Sequence, residues 1–174
     1  MRPDSHDNDR HIVSILLQNE AGALARVAGM FSARGYNIES LSVAPTHDAS
    51  LSRLTLVTTG NDSVIDQIIK QSRKLVDVVE ITDLTGHDHL EAELLMAKVE
   101  VDTASGREVV DCVRRHRGLI LDETETTRTV QLTGTGSEVN SFVAELSAIA
   151  RVLELVRSGT AALERGSATL SAPR

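Results

Sequence analysis

A chain of 174 residues fits one ordinary domain or two small ones and is long enough to bury a core. Hydrophobic residues make up 41% and charged residues 25%, which excludes a low-hydrophobicity disordered chain and points to a soluble globule. With 18 Lys and Arg against 25 Asp and Glu, net charge −7, the chain repels nucleic acid and anionic membrane in bulk, so the partner expected is a small molecule or a protein.

The single cysteine, Cys112, forms no intrachain disulfide, and a reducing cytoplasm fits that usage. The longest apolar run, Leu94 to Ala97, is far short of the roughly 18 residues of a membrane span. Aromatics are limited to Phe31, Tyr36 and Phe142, too few for a base-stacking platform, so the core is aliphatic. Residues 1–10, MRPDSHDNDR, lack a signal-peptide core and read as a disordered tail.

In chain order, HIVSILLQN (11–19) places Val13, Ile15 and Leu17 at period two, a strand. From Gly22, Leu24, Val27, Ala28 and Phe31 stripe a helix that stops at Gly35. NIESLSVAP alternates up to Pro45, THDAS turns, and SRLTLVTTG returns antiparallel. A helix carrying Val64, Ile65, Ile68 and Ile69 follows, capped by Asn61 or Asp62. LVDVVEITDL (75–84) is the fourth strand.

Residues 85–93, TGHDHLEAE, are polar and read as a linker. The order then repeats. LLMAKVEV is a strand; Ser105 and Glu108 have capping-box spacing ahead of Val109, Val110 and Val113. LILDET and TVQLTGT are strands, and Thr135 with Glu138 makes a second box before a helix carrying Val139, Phe142, Val143 and Leu146. ARVLELVRSG closes the unit, and ARG at 33–35 aligns with HRG at 116–118. The fold class is therefore α+β: two tandem ferredoxin-like βαββαβ domains, over 11–84 and 94–166, with tails at 1–10 and 167–174. Each half is small, and its sheet has one uncovered face and free edges, so homo-oligomerisation is expected, the alternative being that the two halves pack on one another within a monomer.

No catalytic residue is assigned: phosphate loops, zinc helices and nucleophile elbows are absent from the sequence. Gly134-Thr135-Gly136 lacks the third glycine of a dinucleotide fingerprint and reads as a turn. His87-Asp88-His89 reads as solvated linker, and no metal set is assigned. Cys112 reads as core filler. The run Arg114, Arg115, His116, Arg117 reads as a solvated helix end that complements the dipole.

The informative stretch is Asn19 to Leu24 together with Gly35 to Ile38. Gly22 lets a ligand approach the backbone where a helix begins, a natural seat for a carboxylate. Asn19 and Asn37 fit two roles: amides that bind a zwitterionic amino acid, or residues that cap a helix and turn the chain.

The stretches LQNEAGALARVAGMFSARGYNIESLSVAPT, SRLTLVTTG and QSRKLVDVVEITDL resemble the regulatory (small) subunit of acetohydroxyacid synthase, also called acetolactate synthase, and the resemblance runs from about His11 to Gly166. It implies an ACT domain, an amino-acid-sensing module, in the first half and a second ferredoxin-like domain after it. It implies a non-catalytic subunit that activates a catalytic (large) subunit and confers feedback inhibition by valine in branched-chain amino acid biosynthesis. It further implies a homodimer through the ACT domains. Thiamine diphosphate, Mg and FAD are expected on the catalytic subunit and no cofactor on this chain. The effector-binding positions it implies are Asn19, Gly22, Ala23 and Leu24 from the strand-to-helix loop, with Asn37 and Ile38 contributed across the interface. The rival expectation is a stand-alone ACT-type ligand sensor in transcription control. That would need a DNA-reading helix or ribbon, and no extra helices precede His11.

Overall fold

The computed structural model describes residues 9–171. The expected tail at residues 1–8, and the last three residues of the expected C-terminal tail, lie outside them. The elements are β1 (Asp9–Gln18), α1 (Ala23–Ala33), β2 (Ile38–Pro45), β3 (Leu51–Gly60), α2 (Asp62–Ser72), β4 (Val78–Asp83), β5 (His89–Glu100), α3 (Ser105–Arg115), β6 (Leu119–Glu123), β7 (Thr127–Gly134), α4 (Gly136–Ile149), β8 (Arg151–Arg157) and β9 (Ala161–Glu164). Two antiparallel sheets result, with strand orders β2-β3-β1-β4 and β6-β7-β5-β8, and β9 pairs β5. The fold is α+β with two βαββαβ-like units. By contacts the first unit runs through Leu90 and takes in the segment from Ala161 onward; the second is Glu91–Thr160.

In the first unit, Val13, Ile15 and Leu17 of β1 meet Leu54, Leu56 and Ile81 from neighbouring strands beneath Val27, Phe31, Ile65 and Ile68 of the helices. The other face of β1 is also covered: Ile12 clusters with Val57, Leu84 and Ala162, and Ser14 accepts a hydrogen bond from Arg53 Nε at 2.9 Å. Arg53 Nη2 in turn donates to the Ala162 carbonyl at 3.3 Å. The second unit closes on Leu95, Ala97, Val99, Val130 and Leu132 beneath Val109, Val113, Phe142 and Leu146.

Several expectations need correction. Asp9 and Arg10, placed in the tail, pair with Gly60 and Thr59 as strand. The segment 75–84 is strand only from Val78, because Leu75 N–H donates back to Ser72 and Val78 N–H to Leu75 in successive turns. His89 to Glu93, expected as linker, are already in β5. The apolar stripe of α1 is Ala23, Val27, Met30 and Phe31, while Leu24 is 38% exposed. Counting from Ala23, the spacing i, i+4, i+7, i+8 sets the buried face and turns Leu24 off it.

The two expected capping boxes diverge. Thr135 and Glu138 bond reciprocally across the start of α4, whereas Ser105 makes none at α3. There the Asp102 carboxylate accepts from the N–H groups of Ala104 and Ser105 and from the Ser105 hydroxyl. These bonds hold its pKa below the usual carboxylate value. An ionised carboxylate is the stronger acceptor and wins the turn.

The aligned ARG and HRG turns also differ. After α1 the left-handed residue is Gly35 at φ 70°; after α3 it is Arg117 at φ 59°. Gly118 is small for another reason, since a Cβ there would lie 2.7 Å from the Gln131 carbonyl oxygen.

Candidate effector site

The loop between β1 and α1 is held from three sides. Asn19 N–H donates to the Ser50 carbonyl at 2.7 Å and Gln18 N–H to the Asp77 carbonyl at 2.8 Å. The Asn19 carboxamide donates to the Ala49 carbonyl at 2.9 Å and accepts from the Ser52 hydroxyl at 3.0 Å. Asn19 therefore does not cap α1. It pins the β2–β3 turn, and one N–H and one lone pair of its exposed amide remain over.

Gly22 is the N-cap of α1, at φ 87°, with no side-chain cap, and the first turn carries no acidic residue. An L side chain rarely adopts that angle. The helix start thus presents its partial positive charge unneutralised. Ala23 N–H donates to the Glu20 carbonyl at 3.2 Å, and its side chain is buried while that of Leu24 stays partly exposed. Above Gly22 lies Arg26, whose Nε and Nη2 grip the Asp77 carboxylate side-on. The pairing holds the Asp77 carboxyl below its ordinary pKa and raises that of Arg26.

Asn37 and Ile38 sit elsewhere. The Thr58 hydroxyl donates to the Asn37 carbonyl at 2.6 Å, the Asn37 side chain is exposed, and Ile38 packs partly on the first core. Ile38 is paired with Thr58 and Gln18 with Leu51. The two residue groups are thus separated by the length of β3 between positions 51 and 58, about 23 Å at strand rise. Within one chain the structure brings Asn19, Gly22, Ala23 and Leu24 together and leaves Asn37 and Ile38 at the far end of the sheet. Sequence reasoning missed Arg26 and Asp77; the only signal was the i+4 spacing from Gly22 to Arg26.

His87 and Asp88 bond to Glu164 and Arg165. In the second unit, Cys112, His116 and Glu145 lie together, with His116 Nε2 2.7 Å from Glu145 and Arg115 on the other carboxylate oxygen. The Cys112 thiol is pushed up to about 11 by burial and by Glu145, the reverse of what a reactive thiolate needs. No helix among the described residues is long and apolar enough to cross a membrane.

Comparison with known proteins decides the family. Residues 13–80 match a family model described as an AHAS small subunit-like ACT domain, and residues 92–166 one described as small subunit of acetolactate synthase. The chain belongs to the acetolactate synthase small-subunit family. It is 47% identical over 157 residues to the acetolactate synthase isozyme 3 small subunit of Salmonella typhimurium, covering 90% of this chain and 96% of that one. It is 46% identical to the isozyme 3 small subunit of Escherichia coli over the same shares. A crystal structure of the acetolactate synthase small subunit from Thermotoga maritima superposes with a TM-score of 0.83 at 34% identity, covering 92% of this chain and 99% of that one. Membership makes this chain a small, regulatory subunit with an ACT domain rather than the catalytic one, and it accounts for the repeat: one family domain covers most of each unit.

Proposed function

We propose that this subunit binds the catalytic subunit of acetolactate synthase, raises its activity and makes it sensitive to valine. The observation that carries the reading is the match of both units to small-subunit families over nearly the whole chain. Thiamine-diphosphate chemistry belongs to the catalytic partner, and this chain contributes the sensor.

The effector site is completed by two copies. β2 is an edge of the first sheet, and antiparallel pairing of two such edges sets the start of one β2 beside the end of the other. The end of β2 lies at the same end of the sheet as Asn19 and Gly22, since Pro45 pairs with Ser52. Such a dimer brings Asn37 and Ile38 of the partner subunit to the β1–α1 loop and so removes the separation of about 23 Å along β3. Gly22 and Ala23 N–H groups receive the valine carboxylate, with the long Ala23–Glu20 bond giving way. The amides of Asn19 and of Asn37 of the partner subunit take the ammonium. Leu24, kept partly exposed, and Ile38 of the partner subunit enclose the isopropyl group.

Valine inhibits only through different affinities for two holoenzyme states, a coupling of about 1–3 kcal/mol in typical cases. A mixing experiment tests the shared site. Asn19→Ala and Asn37→Ala homodimers each lose valine binding. After subunit exchange about a quarter of the sites are intact, because each heterodimer carries one unmutated site. If mixing restores no binding, the two asparagines do not share a site.

A further inference from the structure

We infer that Arg26 is the residue that reads the effector's carboxylate, with Asp77 as its positioning residue; this rests on the reading of Asn19–Leu24 as the effector site and deepens it. Asp77 is 4% exposed, in the turn before β4, and its carboxylate takes Nε and Nη2 of Arg26, the latter at 2.7 Å. Two bonds on one edge fix the plane of the guanidinium. They use the two donor nitrogens of that edge and leave Nη1 on the other side, where it has no acceptor among the described residues.

Nη1 is aimed at the loop. A Cβ built on Gly22 would stand 2.9 Å from it, so the cation lies in contact with the backbone at which α1 begins. The Arg26 side chain is 45% exposed while that of Asp77 is 5% exposed, so a ligand meets the arginine and not its counter-ion. Glu20 is the other carboxylate acting on Arg26; it lies in an exposed loop, and an incoming carboxylate replaces its influence. The ligand group that suits Nη1 and the backbone N–H of Gly22 together is a single carboxylate within reach of both. The arrangement also explains why position 22 is glycine twice over: the φ of 87° requires it, and any side chain would push Nη1 out of the seat.

The test uses the full-length chain and two probes, valine and valinamide, which keeps the ammonium and isopropyl group but lacks the carboxylate charge. Calorimetry on the unmodified chain is expected to show valine binding about 10- to 100-fold tighter than valinamide, the range for a hydrogen bond to a charged group. In Arg26→Gln that preference collapses towards one, and in Asp77→Asn it falls part of the way because the guanidinium is no longer held. Arg26→Lys, which keeps a cation, guards against a variant that merely fails to fold; circular dichroism checks each. A folded Arg26→Gln chain that still prefers valine to the same degree overturns the inference while leaving the effector site standing. Absence of valine binding by the unmodified chain overturns the effector-site reading, and this inference with it.

Discussion

The Ser52 hydroxyl donates to Asn19 Oδ1 at 3.0 Å, which makes a residue of the candidate effector site also a fastener of the fold. Asn37, the other candidate asparagine, has an exposed side chain, and it is its backbone carbonyl that Thr58 holds. The two asparagines therefore answer differently to truncation. Asn19→Ala is expected to lower both thermal stability, by about 1 kcal/mol for the lost bonds, and the valine response. Asn37→Ala is expected to lower the valine response with Tm unchanged. Paired thermal melts and valine titrations check this, and equal loss of stability in both variants contradicts it.

Gly22→Asp is expected to abolish the valine response while leaving activation of the catalytic subunit largely intact. The new carboxylate occupies the seat above Gly22 and meets Arg26 at close range, while the left-handed φ costs about 1–2 kcal/mol. Gly22→Ala carries the strain without the charge and is expected to shift the inhibition curve less. Inhibition curves of the reconstituted enzyme with each variant separate charge from strain.

Acid is expected to loosen the fold. Asp77, Asp102, Glu138 and Glu145 all have pKa values held below their ordinary ones, by Arg26, by the Ser105 and Ala104 N–H groups, by Thr135, and by Arg115 with His116 respectively. A carboxylate depressed in the folded state contributes stability that is present above its unfolded pKa, about 4, and is lost as pH falls through the folded value. Melts from pH 6 down to pH 3 should therefore show Tm falling mainly below about pH 4. A Tm that rises as the pH drops through that window contradicts the ion-pair assignments.

Capping at α4 and α3 separates by residue. Thr135→Ala removes the α4 box and is expected to cost about 1 kcal/mol, with Ser105→Ala costing less because Asp102 still holds the α3 start. Chemical denaturation of the two variants ranks them, and the reverse order contradicts the assignment of the cap to Asp102.

Cys112, fully buried and with its thiol pushed up to about 11, is expected to react with a disulfide-exchange reagent at pH 8 only on unfolding. Rapid labelling of the native chain is the opposing outcome.

The tandem βαββαβ order was legible because hydrophobic period and punctuation by Gly35, Pro45 and Gly60 agree along the first unit, whereas β9 and the early start of β5 were not read. The cap at α4 was legible for the same reason: both halves of a local motif stand three residues apart. What escaped was decided by distant partners. Asp102 displaced Ser105 by carrying a charge, a preference that spacing does not reveal. Ala162 was read with the second half, yet it buries itself against Ile12, Val57 and Leu84, a match of surfaces far apart in sequence. Of the candidate site, the turn into α1 at Gly22 was legible, although Leu24 was also placed on an apolar stripe that it does not join. Arg26 and Asp77 were not, because a pair 51 residues apart leaves no local pattern. The partnership of Asn37 with that loop came from family resemblance, since in one chain the sheet itself keeps them apart.

Reconstitution shows whether this chain is an activating and valine-sensing subunit. Acetolactate formation by a purified catalytic subunit is measured alone, with this chain, and with this chain plus valine. The rate is expected to rise when the chain is added and to fall saturably with valine. A rate that this chain leaves unchanged, with or without valine, contradicts that expectation.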